Sequence, residues 1–259
     1  MRPAIAKLVD RAVPFVFFMV LLAAWQLALQ IFPVPSFILP APSQIVSRIA
    51  DSPGRMVVHS LATLREVIVG FGLALGGGVL LAVMTAHSQL LARTLYPLLV
   101  VTQTIPTVAI APVLVIWFGP GDTARFIVVF LIAFFPIFVN TTAGLLRVDE
   151  DLIDLVRGLN APPWKIFTKI RFPNALPHLF TGMRVSIVLA VIGAVVSEFV
   201  AANEGLGYLV FSAATNMDTR LVFAAVVLLA TMGIILFQVV RLTQAWTLPW
   251  ASAAGQGDA

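Results

Sequence analysis

The sequence predicts an all-α membrane protein, with about six transmembrane helices and a short cytoplasmic helix between the fourth and the fifth. Two observations predict this class. Hydrophobic residues make up 60% of the 259 residues and charged residues only 11%, with a mean hydropathy of +1.01, whereas soluble domains contain about 25% charged residues. The few charges are also separated by apolar runs of roughly 20 residues, the length that spans a bilayer.

Six such runs account for most of the chain. The first is too long for the apolar part of a secretory signal, and no small-residue cleavage site follows it. Cysteine is absent, which excludes a disulfide framework, a thiolate metal site and a cysteine nucleophile. The predicted spans are Val13–Phe32, about Thr63–Thr85, near Leu95–Phe118, near Phe126–Leu146, Leu179–Ala201 and Leu221–Val240.

The spans predict three segments along the chain. Residues 1–60 would contain the N-terminal transmembrane helix and an amphipathic segment on the outer membrane surface. Residues 61–245 would form a core of five transmembrane helices, and residues 246–259 a flexible cytoplasmic tail. The amphipathic segment is a short helix at about Ser43–Asp51, where Ile45, Val46 and Ile49 share one apolar face.

The charges between the spans predict the orientation, because cytoplasmic loops carry an excess of Lys and Arg. With the N terminus in the cytoplasm, ten basic residues fall in cytoplasmic segments and four in external segments. Both termini are therefore expected in the cytoplasm. The ten are Arg2, Lys7, Arg11, Arg93, Arg147, Arg157, Lys165, Lys169, Arg171 and Arg241, and the four are Arg48, Arg55, Arg125 and Arg220.

One cytoplasmic stretch differs from the rest of the chain. Residues 147–171 hold nine of its 16 basic and 12 acidic residues. A short helix is predicted here, because the acidic residues 149–151 suit a helix N-cap and first turn. Apolar residues then recur at the spacing of one helix face: Leu152, Leu155, Val156 and Leu159.

The end of this helix is marked as clearly as its start. Asn160 tolerates the left-handed conformation that closes a helix, and Pro162 and Pro163 prevent its continuation. A second short helix is predicted over residues 164–172, after which Pro173 and Pro177 would break the chain before the fifth span. One side of this helix would carry Trp164, Phe167 and Ile170. Another side would carry Lys165 and Lys169.

The apolar stripe of the first short helix requires a partner, because its exposure to water costs free energy. A membrane surface or a groove of a soluble protein would cover it. Since the acidic first turn disfavours an anionic lipid surface, a protein partner is predicted. An ordinary positively charged loop is the alternative, but it explains neither the stripe nor the marked ends.

The same stretch resembles the cytoplasmic signature loop of permease subunits in binding-protein-dependent ABC importers. That loop reads Glu-Ala-Ala, three residues, Gly and, nine residues later, Ile-x-Leu-Pro. Here residues 154–156 read Asp-Leu-Val, residue 160 is Asn, and residues 170–173 read Ile-Arg-Phe-Pro. Segments 37–46, 104–145 and 197–210 are similar to the taurine, nitrate and sulfonate group, and residues 190–230 look closest to members assigned to pyrimidine thiamine precursors or riboflavin.

By this resemblance the protein is the membrane-spanning permease subunit of an importer, and not an enzyme. It would form the path for a small solute through the bacterial cytoplasmic (inner) membrane: a vitamin precursor such as a pyrimidine or riboflavin, or an organosulfonate- or nitrate-type anion. The expected partners are a second copy of the permease, two copies of an ABC ATPase subunit and an extracytoplasmic solute-binding protein. No cofactor is expected, because the ATPase subunit binds ATP and this chain lacks a G-x-x-x-x-G-K-[ST] motif.

The resemblance also identifies the helix that would dock in a cleft of the ATPase. Asn in place of Gly is a mild departure, because both residues accept a positive φ, whereas the Leu-Val pair is bulkier than Ala-Ala. The implied docking residues are Asp154, Leu155, Val156, Arg157, Gly158, Leu159, Asn160, Ala161 and Pro162.

Polar residues within the spans are candidates for the solute path. Each of them either lines the path or hydrogen-bonds to a neighbouring helix. The candidates are Gln103, Thr104, Thr107 and Asn140.

Prolines and glycines predict where the spans bend or pack. Pro106, Pro112 and Pro136 each remove a helical hydrogen bond and are expected to kink spans three and four, as alternating access requires. Gly72 and Gly76 have the GxxxG spacing of a helix-packing or bending site.

The outer end of the fifth span contains a carboxylate, Glu198. The favoured interpretation places it at the outer interface, close to water, and the alternative is an outer gate or a contact with the solute-binding protein. The following turn, residues 203–209, has glycines that permit a tight re-entry. Its residues Asn203, Glu204, Gly205 and Gly207 share the same candidate roles.

Two other functions are weighed from the residues alone. A secondary transporter driven by an ion gradient often has internal repeats and carboxylates deep in the membrane, and here Glu198 is the one candidate. A membrane enzyme would need a nucleophile–base pair or a metal cluster, but His59, His87 and His178 show no metal-ligand spacing. The net charge is +4, but the sequence has no basic patch interleaved with aromatic residues, as nucleic-acid binding requires.

Overall fold

The computed structural model describes residues 2–32 and 34–250, and every regular element within them is helical. This confirms the predicted all-α class. The predicted tail falls largely at residues 251–259, which lie outside the described residues. The elements are α1 (Arg2–Ile31), α2 (Pro42–Ala50), α3 (Pro53–His87), α4 (Gln89–Thr102), α5 (Thr107–Phe118), α6 (Asp122–Leu146), α7 (Glu150–Gly158), α8 (Pro163–Ile166), a π-helical turn (Phe167–Arg171), α9 (Phe172–Ala201), α10 (Leu206–Thr215) and α11 (Thr219–Thr247).

Five helical runs are long and apolar enough to cross a bilayer: most of α1, α3, α6, the run from α8 through α9, and α11. The longest single helix, α3, has 35 residues and is therefore roughly 52 Å long. Since the hydrocarbon core of a bilayer is about 30 Å thick, α3 extends well beyond it.

The pair α4 and α5 makes a sixth crossing. Gly70 of α3 packs against Val129 of α6, and Gly78 packs against Ile137, so α3 and α6 run in the same direction. A chain that leaves the membrane at the end of α3 must cross back before α6 begins, and only α4 and α5 lie between them. The number of crossings agrees with the sequence prediction. The bundle therefore has two ends. We name them the Glu66 end, where α3 and α6 begin, and the α7 end, where both helices end.

The third predicted span, near Leu95–Phe118, is broken into two helices at Pro106, which confirms the kink predicted at that proline. α4 ends at Thr102, α5 begins at Thr107, and their axes differ by 95°. Pro106 explains the break, because proline lacks an N–H and disfavours the helical conformation of the residue before it. Its own ψ of 110° is extended. Pro112 and Pro136 instead lie inside α5 and α6.

The predicted break at Pro173 and Pro177 is also wrong, as is the separate helix over residues 164–172. α8, the π-helical turn and α9 form one run of 38 residues from Pro163 to Val200. The N–H of Phe172 bonds to the carbonyl of Phe167, five residues back. The wider turn shifts the carbonyls that face Pro173, and so allows the helix to continue through a residue that would otherwise clash with the preceding turn.

Small residues allow α3 to approach α6 closely. One face of α3 has a buried Gly or Ala every fourth residue, which is the usual way that helices meet in a bilayer. The predicted GxxxG pair lies elsewhere on the helix, because a Cβ added at Gly72 or Gly76 would meet no atom within 4 Å. Within the described residues the pair therefore makes no packing contact, and its alternative role as a bending site stays a prediction. The packed residues are Gly70, Ala74, Gly78 and Ala82.

We expect Gly78→Val to destabilise the bundle and Gly76→Val to leave it unchanged. A Cβ at position 78 would lie 2.8 Å from Cγ2 of Ile137 and 3.3 Å from the backbone nitrogen of Phe138. Because backbone atoms cannot move aside alone, the overpacking should cost about 1–3 kcal/mol. Thermal unfolding of the detergent-purified variants, followed by size-exclusion chromatography, measures the effect. Equal melting temperatures for the two variants would contradict this account of α3–α6 packing.

The short helix predicted between the first two spans is confirmed as α2. Its apolar face is only partly free for a membrane surface: Ile45 is buried, Ile49 packs against the cluster that contains Met56, and Val46 is 66% exposed. α2 therefore packs on the protein at the Glu66 end while it presents Val46 outward.

An ion pair joins α2 to the start of α11. Nη2 of Arg48 donates to Oδ2 of Asp218 at 2.8 Å, and Asp218 also accepts from the backbone N–H of Leu221. Partial burial opposes ionisation of Asp218, but the hydrogen bond from Arg48 and the N–H of Leu221 outweigh it and lower the pKa of this carboxyl. The N-cap of α11 is therefore held to α2 by a charged contact.

Candidate functional site

Capping residues define both ends of the short helix α7. Oδ1 of Asp149 accepts the N–H of Asp151 at 2.9 Å and so caps the first turn. At the other end Asn160 has a φ of 56°, the left-handed conformation predicted for it. The N–H of Asn160 bonds to Arg157 and the N–H of Ala161 to Val156, which is the Schellman pattern that closes helices.

The predicted apolar stripe of α7 faces away from the rest of the chain. Leu152 is 42% exposed, Leu155 64% and Leu159 75%, whereas Ile153 is 4% exposed and provides the buried anchor. Among the described side chains of α7 only Ile153 is buried, and three leucines face outward. An exposed face of this kind is suited to the apolar groove of a partner protein.

Charges lie beside the stripe rather than within it. Nη1 of Arg157 donates to Oδ1 of Asp154 at 3.1 Å, and both side chains are exposed. The predicted docking residues 154–160 are all exposed except Val156, which is half-buried, as are Ala161 and Pro162. The structure thus brings the implied docking residues together as one accessible surface, which we call the α7 face (residues 152–162).

Three of the four predicted path residues cluster at the break between α4 and α5. Gln103 caps α4, Thr104 is exposed and donates to the carbonyl of Val101 at 2.7 Å, and Thr107 begins α5. Asn140 lies on α6 instead, and its Nδ2 donates to the carbonyl of Pro136 at 2.8 Å. That side chain therefore supplies a hydrogen bond within its own helix, next to a proline.

A buried ion pair joins α3 and α6 at the Glu66 end. Nη1 of Arg125 donates to Oε1 of Glu66, and the two side chains are 12% and 3% exposed. Nη2 of Arg125 also bonds to Asp122 at 2.6 Å. The second oxygen of Glu66 accepts from Oγ of Ser197 at 3.0 Å, so the pair reaches α9 as well.

Glu198 lies next to this pair and is 1% exposed, so the favoured prediction of a carboxylate close to water is wrong. Its Oε1 accepts from Oγ1 of Thr63 at 2.6 Å, and its Oε2 accepts from the backbone N–H of Gly207. Glu198 is buried because the turn that follows α9 folds back over its carboxylate.

Glycines are required where this turn approaches Glu198. Gly205 has a φ of 117°, which other residues rarely adopt, and a Cβ at either Gly205 or Gly207 would collide with the Glu198 carboxylate. Asn203 and Glu204 form the exposed tip of the turn. The structure therefore brings Glu198, Gly205 and Gly207 together and leaves only Asn203 and Glu204 accessible to another protein.

The pairing of Glu66 with Arg125 was not predicted from the sequence. Each of these residues precedes an apolar run of about the same length, residues 67–86 and 126–146. That shared position was the available signal, because two charges at equivalent ends of parallel spans lie at the same depth. The hydrogen bonds of Thr63 and Ser197 to the buried carboxylates were not predicted for a different reason. No sequence pattern distinguishes a buried hydroxyl from an exposed one.

Comparisons with known proteins agree with the fold and extend over most of the chain. A family model described as "Binding-protein-dependent transport system inner membrane component" matches residues 74–248. The chain is 37% identical to the formylaminopyrimidine transport permease protein ThiX of Halalkalibacterium halodurans, covering 92% of this chain and 95% of ThiX. It is 38% identical to the riboflavin transport system permease protein RibX of Chloroflexus aurantiacus, over 91% and 88%. The taurine transport system permease protein TauC of Escherichia coli is 27% identical, over 89% and 86%.

Solved structures with a similar fold come from inward-facing conformations of the MetNI methionine ABC transporter. A native crystal form has a TM-score of 0.51 at 23% identity and covers 73% of this chain and 94% of that chain. A selenomethionine-soaked form has a TM-score of 0.52 at 26% identity and covers 71% and 92%.

Proposed function

Because this chain belongs to the family of inner-membrane components of binding-protein-dependent transport systems, we propose that the α7 face is the contact through which an ABC ATPase drives it. The chain is the membrane-spanning permease subunit of an ABC importer in the inner membrane, and it works with an ATPase subunit and a solute-binding protein. A secondary transporter or a membrane enzyme is not compatible with that family.

The exposed leucines of α7 are the observation that carries this proposal. Leu155 and Leu159 are among the most exposed leucines described, and α7 ends in a closed Schellman turn that fixes their direction. A rigid, short, apolar face is what a cleft on a soluble protein can receive. A force applied there would reach the bundle through α6 and α8, which flank α7 in the chain.

We infer an orientation with the α7 end in the cytoplasm. The predicted cytoplasmic segments carry ten basic residues against four outside, and six crossings return the C terminus to the side of the N terminus. The Glu66 end, with Asn203 and Glu204 at its exposed turn, then faces the solute-binding protein. Two copies of the chain, each with one ATPase subunit, complete the proposed transporter.

The proposed solute is a small polar molecule. ThiX and RibX are named for a formylaminopyrimidine and riboflavin, and TauC for taurine. We propose that this chain carries a compound of the same range, a vitamin precursor or an organosulfonate- or nitrate-type anion, along a path that includes the break at Gln103, Thr104 and Thr107, with Asn140 beside it.

The experiment that tests this function is a gentle pull-down of the tagged chain from native membranes, followed by mass spectrometry. An ATPase subunit should co-purify with the chain, and a co-purified solute-binding protein can be screened for its ligand. Recovery of the chain alone, in a detergent that keeps other importers intact, would contradict the assembly.

A further inference from the structure

Arg184 lies near the middle of the membrane-spanning part of α9. Gly182, two residues earlier, packs against Pro136 and Asn140 of α6. Pro136 stands halfway in sequence between the charged residues that bound the apolar run of α6, Arg125 and Arg147, or roughly 16 Å along the helix from each. The Arg184 side chain therefore starts close to the bilayer centre.

This cation has no carboxylate within 4 Å among the described residues. Its hydrogen bond is a long one, 3.4 Å from Nη2 to Oγ1 of Thr181. Charged side chains at the centre of a bilayer are costly and face a bundle interior or a water-filled cavity, and a long side chain reaches the interface only from near a helix end. The side of α9 that carries Arg184 is therefore not expected to face lipid.

The surroundings of Arg184 include an open groove between α9 and α11. A cavity of about 450 Å³ is lined by Arg184 together with Val188 and Phe237. The same two apolar residues also line an adjoining groove of about 610 Å³. Among the described residues Arg184 is the one charged residue that lines either groove, and the polar residues Thr181 and Gln238 line them as well, so its guanidinium is a single charge on a mostly apolar wall.

We propose that Arg184 is a specificity-determining residue on the solute path, where its guanidinium faces water at mid-membrane and binds acceptor oxygens of the solute. This inference rests on the proposed permease function and narrows its range of solutes. A guanidinium presents a planar fork of donors that matches carboxylate, phosphate and sulfonate groups. Across a few ångströms of a water-filled site its charge still attracts an anion and repels a cation, so solutes with such an anionic group are favoured.

The test uses the absence of cysteine from the chain, so that one introduced thiol is the only one in the permease. Val188→Cys places it one helical turn from Arg184, and Leu80→Cys is the control at a similar distance from the bilayer centre, because Leu80 is 61% exposed on α3 beside Gly78. The assembled transporter in vesicles of both orientations is treated with a negatively charged sulfonatoethyl and a positively charged trimethylammonioethyl methanethiosulfonate. Thiols react as thiolates and are protected in apolar surroundings.

We expect Val188→Cys to react faster than Leu80→Cys, and to prefer the anionic reagent. In Val188→Cys with Arg184→Gln the ratio of anionic to cationic rates should fall about tenfold, as expected for one charge at roughly 6 Å in a water-filled site. Arg184→Lys keeps the charge and should keep the ratio, which also controls for a folding defect in the glutamine variant.

Two outcomes would overturn the proposal. A Val188→Cys rate no higher than that of Leu80→Cys would mean that this face of α9 does not border water. A ratio unchanged by Arg184→Gln would mean that Arg184 does not supply the charge. ATP-driven uptake and ATPase recovery by the parent chain test the permease function separately, so failure of the inference is distinguishable from failure of that function.

Discussion

Leu155→Asp should abolish uptake while the chain remains inserted in the membrane. Leu155 is 64% exposed, so the fold of the chain does not depend on its side chain. Docking would place the new carboxylate in an apolar cleft, and burying an unpaired charge costs several kcal/mol. Because each 1.4 kcal/mol is a factor of ten in an equilibrium constant, uptake should fall by roughly a hundredfold or more. Solute uptake and the ATPase recovered on the tagged permease are the two measurements.

Matched variants separate docking from folding. Leu159→Asp should act like Leu155→Asp, because Leu159 is 75% exposed on the same face, whereas Leu155→Met should keep both uptake and ATPase recovery. Ile153→Asp is the contrasting case: Ile153 is the buried anchor, so this variant should lose stability itself. If Leu155→Asp or Leu159→Asp leaves uptake unchanged, the α7 face is not the docking site.

Features with local causes were predictable from the sequence. The α7 helix needs an N-cap at Asp149, apolar residues at helical spacing and a left-handed residue at Asn160, all within a dozen positions. Its end signals therefore act whatever the rest of the chain does. The six crossings were predictable for a similar reason, because the length of each apolar run is a property of the run.

Prolines show where local reasoning ends. Pro106 breaks span three, whereas Pro173 lies inside a continuous helical run. The residue type is the same, and the difference is the π-helical turn before Pro173, which re-positions the carbonyls that the ring would meet. No sequence signal marks that turn.

Contacts distant in sequence were the least predictable. Glu66 and Arg125 are separated by 59 positions, and they meet only because α4 and α5 together cross the membrane and leave α3 and α6 parallel. The burial of Glu198 depends in the same way on a turn that folds back from Gly205. For a carboxylate at a span end, the sequence gives the depth but not the neighbours.

Arg125→Met should destabilise the chain by about 3–5 kcal/mol, the usual result of removing one partner of a buried ion pair. The variant leaves the carboxyl of Glu66 buried and without the guanidinium that bonds it. Asp122 also loses its hydrogen bond from Arg125, so it is no longer linked through Arg125 and Glu66 to Ser197. Thermal unfolding in detergent, with recovery of the folded monomer or assembly as a second readout, measures the loss.

Two companion variants assign the loss to the unpaired charge. In Arg65→Met the ion pair that is removed, with Asp122, is exposed: its side chains are 64% and 37% exposed, so the loss should stay below about 1 kcal/mol. In the double variant Glu66→Gln and Arg125→Met neither charge of the pair remains, and stability should recover part of what Arg125→Met alone loses. If Arg125→Met costs no more than Arg65→Met, the buried pair does not hold α3, α6 and α9 together. The Glu66 end would then depend on Glu198 and its closing turn instead, whose hydrogen bonds with Thr63 and Gly207 involve no cation.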